Sequence, residues 1–549
     1  MSLRTKRRAR LAVIAAVVLV LATLAVATAS STAAPSASKP TRQEIAQRLL
    51  EGRRPQFMTP PALAAVTRMA TGSKSLSPTT HDPTEEGRPE AAGASAKAAT
   101  HSSSKLHNVR VNNPGRDRQF IDQTTQSETT IAVHGSKVAV GYNDSQHTLL
   151  AFTAGSNLTG FSFSTNGGRS FTDGGVMPNA PGYVNLGDPW MASLRSGRFL
   201  YATLAQTPEF NLGVSVGRSG NGGRTWTDPV EVSPSAGTFV YFGDKDAATT
   251  GRDPQVASRD NAYVAWDDFF CDQSLTCFDG LPVARSTDGG VTWQVSYADR
   301  FQEGSQGCTF QQYIGAQPFV DSRNGTLYVA AERIRVDDPT CSGGTVAFSQ
   351  YVFKSTDGGA TFGPGVKIAD VTPATPQGFL PLGPGKAMRT IEFPVVARTG
   401  GTLYAAWNDG GQGASHIRLA TSTDGGATWS LSWATSGGGN ELQPALSSSG
   451  GVVHLAYYRI APSNLIDVLL QDRRGSTVTT TRVTSTSFPG VPNLPQFDPI
   501  IADAYMGDYI QIVSAAGHDY LAWGDNRDRV RDSLWEAGRN DPDVFFARR

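Results

Sequence analysis

Acidic and amide side chains recur in this sequence at two fixed places, just ahead of one repeated strand phrase and just after the strand that follows it. Ahead of or at the first strand stand Glu128, Asp188, Asp244, Asp253, Gln317, Glu392, Gln443 and Asp508. After the second stand Asp144, Asp267, Asp268, Glu332, Asp409 and Asp525. Carboxyl groups gathered in one cleft can divide acid and base work when their surroundings push their pKa values apart, which is the logic of glycoside hydrolysis. Most such side chains cap turns and strand ends, so the pattern marks a region before it marks a residue. Arg389 with Glu392, ahead of a single strand, is the first charged pair to test. Two further signals carry less. Gly213-Val-Ser-Val-Gly217 matches a serine-hydrolase string, but that chemistry needs a strand-turn-helix elbow and this stretch reads as strand. Asp267-Asp268 and Asp337-Asp338 offer the carboxylate oxygens that calcium takes, although adjacent acids in loops are usually just solvated; no other cofactor is expected.

The strand phrase that positions these residues appears seven times. Five copies carry a proline: Asp188-Pro-Trp-Met, Asp253-Pro-Gln-Val, Gln317-Pro-Phe-Val, Phe393-Pro-Val-Val and Gln443-Pro-Ala-Leu. Each is followed by a turn and a β-rich strand such as Thr326-Leu-Tyr-Val-Ala. Thr130-Ile-Ala-Val and Tyr509-Ile-Gln-Ile are copies without it. A second repeat punctuates the same stretch: Ser164-Thr-Asn-Gly-Gly-Arg-Ser-Phe171, Ser219-Gly-Asn-Gly-Gly-Arg-Thr-Trp226, Ser286-Thr-Asp-Gly-Gly-Val-Thr-Trp293, Ser355-Thr-Asp-Gly-Gly-Ala-Thr-Phe362 and Ser422-Thr-Asp-Gly-Gly-Ala-Thr-Trp429, starting 55, 67, 69 and 67 residues apart. A steady period means one supersecondary unit copied many times. The Asp/Asn-Gly-Gly centre supplies positive φ, the Ser and Asp/Asn side chains bond the turn's backbone, and the aromatic ring tucks beneath it. Asn166, Asn221, Asp288, Asp357 and Asp424 are therefore expected to be structural.

The spacing S-x-[DN]-G-G-x-[TS]-[WF] resembles the Asp-box, or BNR repeat, of sialidases and related propellers, over essentially residues 106–549. Counting the strand phrases predicts an all-β, seven-bladed β-propeller with four-stranded blades. Its last blade stops at Val544-Phe-Phe-Ala547 without a box, and Asn108-Val-Arg-Val-Asn112 is placed to complete it, so strands from both ends of the chain would close the ring. If the first strand of each blade descends from the top of the channel, the boxes lie below and the polar strand ends above. All four cysteines then fall in top-face loops, where Cys271 with Cys277 and Cys308 with Cys341 is the simplest of three pairings.

As a family, sialidases clamp the substrate carboxylate with three arginines and use a tyrosine nucleophile assisted by a glutamate, with an aspartate as acid/base. The resemblance implies candidates here: Arg252, Arg333, Arg389 or Arg527 for the clamp, Tyr241, Tyr505 or Tyr509 for the nucleophile, and Glu392 or Glu128 beside it. The expected catalytic set is Arg389, Glu392, Tyr505 and Asp188, with Arg252, Arg527, Asp508 and Asp253 for substrate. The Phe/Tyr-Arg-Ile-Pro motif of that family is absent, the nearest arginines being Arg116 and Arg118. Asp-box propellers also resemble sortilin-type receptors and photosystem assembly factors, so a non-catalytic binding module stands beside an exo-glycosidase of the sialidase type.

The 48 basic and 48 acidic residues balance, which argues against nucleic acid or an anionic membrane as partner and leaves a glycan or glycoconjugate. A basic start, an apolar run from Leu11 to Val26 and Ala27-Thr28-Ala29 read as a signal peptide over 1–29, hence a secreted, monomeric protein with membrane contact only through an uncleaved signal. Residues 30–105 read as a low-complexity linker or propeptide, with one capping-box pattern at Thr41-Arg-Gln-Glu44 that starts a short helix.

Overall fold

Strand alternation and glycine turns build nearly all of the described part of the molecule, a computed structural model that describes residues 40–51, 54–58, 60–72, 106–116, 125–145, 157–235, 238–274, 276–304, 307–375, 378–383, 387–490, 506–530 and 539–549. The signal peptide expected over 1–29 lies outside these residues. Residues 42–549 form one compact unit.

Among the described residues, seven antiparallel sets of four strands follow one another, with a few two- or three-residue strands beside them. Sheet one is Gln126–His134, Lys137–Asp144, Thr159–Ser164 and Thr172–Val176. Sheet two is Trp190–Ser193, Phe199–Gln206, Leu212–Ser219 and Thr227–Glu231. Sheet three is Val240–Arg252, Asp260–Cys271, Cys277–Ser286 and Gln294–Gln302. Sheet four is Phe310–Val320, Leu327–Asp337, Thr345–Ser355 and Val366–Asp370. Sheet five is Val395–Thr399, Thr402–Asp409, His416–Ser422 and Ser430–Trp433, and sheet six is Asn440–Ser449, Val452–Ile460, Leu465–Arg474 and Thr477–Arg482. A single parallel bridge, Phe242 to Leu212, links sheets two and three. Sheet seven takes Gln511–Ala515, His518–Asp525 and Asp543–Arg548 from one end of the chain and Asn108–Arg110 from the other, with Val109 opposite Phe546. First strands pack on first strands from sheet one through sheet seven and back to sheet one, so the inner contacts form a closed cycle.

The inner strands share a device that aims side chains at the axis. Register breaks fall between Ser127 and Thr130, Asp244 and Ala247, Ile314 and Gln317, and Leu442 and Ala445. Each break holds a residue with positive φ: Glu128 (50°), Lys245 (45°), Gly315 (67°) and Gln443 (50°). Asp188 (51°) and Gly507 (85°) hold the matching place ahead of the inner strands of sheets two and seven. Such bulges turn a side chain off the pleat, and positive φ in a non-glycine residue is strained backbone that only the surrounding packing can hold.

This alignment corrects the strand phrase in sheet three. Asp253-Pro was read as the head of its first strand, but that strand is Val240–Arg252, and Asp253 caps the turn after it by accepting the Gln255 and Val256 amides. Lys245-Asp246 occupies the position that Asp188-Pro189 takes in sheet two, so the proline misled.

The segment read as a linker is ordered in part. Arg42–Glu51 (α1) and Pro60–Thr71 (α2) are helices whose Ile45, Ala46, Leu49, Ala65, Val66 and Met69 join a buried cluster with Leu212, Phe242 and Phe269 of sheets two and three. The first is the short helix expected from the capping box at Thr41; the overall composition, rich in Ala and Ser, hid the second. Among the described residues no helix is long and apolar enough to cross a membrane.

Candidate functional site

The bulge at Lys245 meets the bulge at Glu128 and the chain ahead of the inner strands of sheets two and seven. Lys245 Nζ lies 2.8 Å from Glu128 Oε1, 3.0 Å from Asp188 Oδ2 and 2.9 Å from Asp508 Oδ2, and Arg389 Nη1 adds a second cation 2.9 Å from Asp508 Oδ2. All five side chains are essentially buried. Asn143 fixes the set, donating from Nδ2 to Glu128 Oε2 at 3.0 Å while its Oδ1 accepts the Asp188 amide. Burial alone would lower the Lys245 pKa, but Asp188, Asp508 and Glu128 raise it well above its ordinary value, so the ammonium stays charged. Burial and the neighbouring Asp188 push Glu128 up to about 8. Burial acts on Asp508 too, yet Arg389 and Lys245 hold it below the usual carboxylate range. Asp246 is raised well above the usual carboxylate range, by burial and then by Asp188. Beside this network is a small cavity of about 30 Å³ walled by Trp190, Phe393, Asn408, Gln443 and Tyr509 among others.

A second carboxyl group lies at the flank, between sheets four and five. Glu332, buried, is paired across the strands with Gln350, whose Nε2 donates to the Glu392 carbonyl at 2.6 Å. Glu392 Oε1 accepts the Ala374 amide at 3.0 Å and Asn408 Nδ2 at 3.3 Å. Next to Asn408, the Asp409 carboxylate accepts from the Gly411 amide (2.8 Å), Trp407 Nε1 (3.2 Å) and the Thr372 amide (3.4 Å). Burial, then Asp409, pushes Glu332 up to about 8; burial, then Glu332, raises Glu392 well above the carboxylate range. Two carboxyl groups are thus kept protonated near neutral pH beside a third that receives N–H donors. In sheet three, Tyr241 and Tyr297 donate to Asp268 Oδ2 at 2.9 and 2.8 Å, and burial raises that aspartate to about 7.

The sequence-expected residues separate into those the fold gathers and those it does not. Asp188, Asp508 and Arg389 meet in the central network, and Glu392 stands at its side. Arg389 and Glu392 do not pair: the arginine turns to Asp508, which the ring brings from sheet seven, while Glu392 faces sheet four. Arg252 and Asp253 are at the opposite end of sheet three. Arg252 Nη1 donates to the Arg323 carbonyl, and Asp253 pairs with Arg259. Arg527 forks onto Asp525, donates to Asn108 Oδ1 at 3.0 Å and stacks 4.3 Å from Phe545, which commits it to sealing sheet seven. Tyr505 lies outside the described residues. Tyr509 donates to the Pro189 carbonyl with its ring centre 5.3 Å from Lys245 Nζ, at the edge of the central network, and Tyr241 donates to Asp268. Among the described residues the arginine candidates therefore reach separate places. Lys245 and Asp246 were missed; the signal was available, since Asp-Lys-Asp interrupts the alternation of a β-rich stretch.

The acidic pairs read as calcium ligands are split by the fold. Asp338 caps Ser342 and Gly343, and Asp337 pairs with Arg335. His454, Asp472 and Asp519 do converge, but the Arg549 guanidinium already bonds both carboxylates.

The five boxes sit at the far ends of the sheets from this network. Ser286 is opposite Ala262, near the start of a strand whose other end pairs Cys271 with Cys277. In each box the Ser hydroxyl donates to the Asp or Asn Oδ1 and accepts the second glycine's amide, as in Ser422 with Asp424 (2.8 Å) and Gly426 (2.9 Å). Burial would raise Asp288 and Asp357, but hydrogen bonds from Thr292 and Thr361 prevail and hold both at about 2. Where Asn replaces Asp the direction reverses, Asn166 and Asn221 donating to Ser170 and Thr225. The boxes also clasp the preceding sheet. Gly168 packs on Phe546, Gly223 on Ala139 and Gly290 on Leu200, and Arg548, Arg198 and Tyr328 donate to the carbonyls of Gly167, Gly289 and Gly425. The disulfides are Cys271–Cys277 and Cys308–Cys341, as the simplest pairing expected.

No family model matches the sequence, and no curated protein matches it. Solved structures similar to the chain include a Hadza microbial sialidase, 13% identical over 71% of this chain and 73% of that one, with a TM-score of 0.39. The phage phi92 endosialidase is 10% identical over 81% and 68%, with a TM-score of 0.41. Trypanosoma rangeli sialidase in complex with sialic acid is 11% identical over 77% and 54%, with a TM-score of 0.36. At these values the likeness assigns no residue and no activity.

Proposed function

We propose that this is an exported, glycan-acting Asp-box protein, a seven-bladed propeller that hydrolyses a terminal sugar on the face opposite its boxes. The observation that carries the reading is the trio of Glu332, Glu392 and Asp409. Burial and then Asp409 raise Glu332, burial and then Glu332 raise Glu392, and the Asp409 carboxyl beside them accepts three N–H donors, an unequal set of the kind that general acid–base cleavage of a glycosidic bond uses. In this reading Glu332 gives its proton to the leaving oxygen, and Asp409 steadies the positive charge that develops on the sugar or activates water. Lys245 and its carboxylates hold the bulged strand heads in place around the pit.

A binding module is the second reading, favoured by the scattered arginines: Arg389 turns to Asp508, Arg252 to the Arg323 carbonyl and Arg527 to Asp525, and Arg333 lies 3.9 Å from the centre of the Tyr351 ring. The test is incubation of the secreted protein with fluorogenic glycosides, sialosides first and neutral sugars after, alongside Glu332→Gln. Release of a terminal sugar that the variant abolishes supports hydrolysis. If no sugar is released and the protein is retained on a glycan array, the binding reading stands and the acid–base assignment falls.

A further inference from the structure

Arg54, in the short turn of helix Arg54–Phe57 between α1 and α2, is held in a way that ordinary chain packing does not require. Its Nη1 and Nη2 fork onto Asp279 Oδ1 and Oδ2 at 2.7 and 3.2 Å, and Nη2 also bonds Glu303. The guanidinium carbon lies over two rings, 4.7 Å from the centre of Phe269 and 4.3 Å from that of Phe310. Two carboxylates and two aromatic faces on one delocalised cation is the donor-and-stacking complement of a guanidinium and not of an ammonium, which has neither the fork nor the plane.

All four wall residues belong to the sheet framework. Phe269 and Asp279 face each other across neighbouring strands of sheet three, Glu303 follows that sheet's last strand, and Phe310 opens sheet four. Both disulfides brace them: Cys277 is two residues from Asp279, and Cys308 two from Phe310. The occupant, by contrast, comes from 225 residues away in sequence. Its segment is also tied to the same face by Arg42, whose Nη2 bonds Asn211 Oδ1 and the Glu209 carbonyl.

We propose that Phe269, Asp279, Glu303 and Phe310 form a preorganised binding site for a guanidinium group, and that Arg54 is its intramolecular ligand. An arginine side chain or another guanidinium supplied from outside then enters the same pocket once Arg54 is removed. The site is independent of the carboxyl trio proposed for hydrolysis and is tested without any activity.

The full chain carrying Arg54→Ala is melted in increasing ethylguanidinium, with ethylammonium at equal ionic strength as the comparison cation. The variant melts below the parent, ethylguanidinium at millimolar concentration restores several degrees with saturation, ethylammonium does not, and adding Asp279→Asn abolishes the recovery. Equal response to both cations, or none, overturns the proposal. Should Arg54→Ala fail to fold, Arg54→Ala with Glu303→Gln removes the excess buried charge and leaves the Asp279 fork for the same titration, read by the same criteria.

Discussion

Alanine at Gly168 separates two costs that the box turn combines. Gly168 has φ of +83°, and a Cβ there would meet Phe546 Cε1 at 2.3 Å. Gly182 has nearly the same φ, +84°, with no heavy atom within 4 Å of its would-be Cβ. Left-handed backbone costs an L-residue about 1–2 kcal/mol, offset by roughly 0.4–1 kcal/mol from the stiffer unfolded chain, so Gly182→Ala loses about 1 kcal/mol. Gly168→Ala pays the same backbone cost and must also move a packed phenylalanine, and overpacking of that kind adds about 1–3 kcal/mol. Phe546 belongs to the C-terminal strand of sheet seven, so the extra loss measures how tightly the first box clasps the end of the chain. Urea unfolding of both variants is the assay: the midpoint of Gly168→Ala falls further than that of Gly182→Ala, with an unchanged slope. Equal midpoints for the two variants would refute the claim that boxes clasp the preceding sheet.

Glu332 has a folded pKa of about 8 against an ordinary 4.5, so the native state holds a proton that the unfolded chain releases. Its contribution is complete below about pH 4.5 and is lost as pH rises towards 8. Glu332→Gln therefore flattens the fall in urea midpoint between pH 5 and pH 8, which paired titrations of variant and parent will read. Replacing Cys308 and Cys341 by Ser, which opens a loop of sequence separation 33, costs on the order of 4 kcal/mol by chain entropy. The same change at Cys271 and Cys277, separation 6, costs on the order of 2 kcal/mol, and denaturant midpoints should keep that order. Lys245→Met leaves Glu128, Asp188 and Asp508 facing one another without their shared cation. Removing one partner of a buried ion pair costs about 3–5 kcal/mol, and here the loss eases as pH falls and the carboxyls protonate, which thermal melts at pH 5 and pH 8 will show.

Much of the architecture was legible because it is written locally. Asp/Asn-Gly-Gly with a following aromatic can form little other than the turn observed, since the bonds that hold it run within eight consecutive residues. Strand phrases of period two and the spare strand at Asn108 were readable for the same reason: alternation and the missing box are properties of short stretches. The cysteine pairs observed are the simplest of the three that the top-face loops allowed. The site was another matter. Arg389 and Glu392, three apart in sequence, part company because ring closure brings Asp508 of sheet seven to one and Glu332 of sheet four to the other. Lys245 acquires its meaning only where one bulged strand and the heads of two others, from distant repeats, bring Glu128, Asp188 and Asp508 to one point, and Arg54 only where a helical segment reaches sheet three. The sequence by itself determined the repeating unit and its turns, through local backbone preference and side-chain-to-backbone bonding. Which charges share a dielectric-poor centre was decided by the tertiary structure alone, because burial and Coulomb coupling depend on distances that no spacing along the chain encodes.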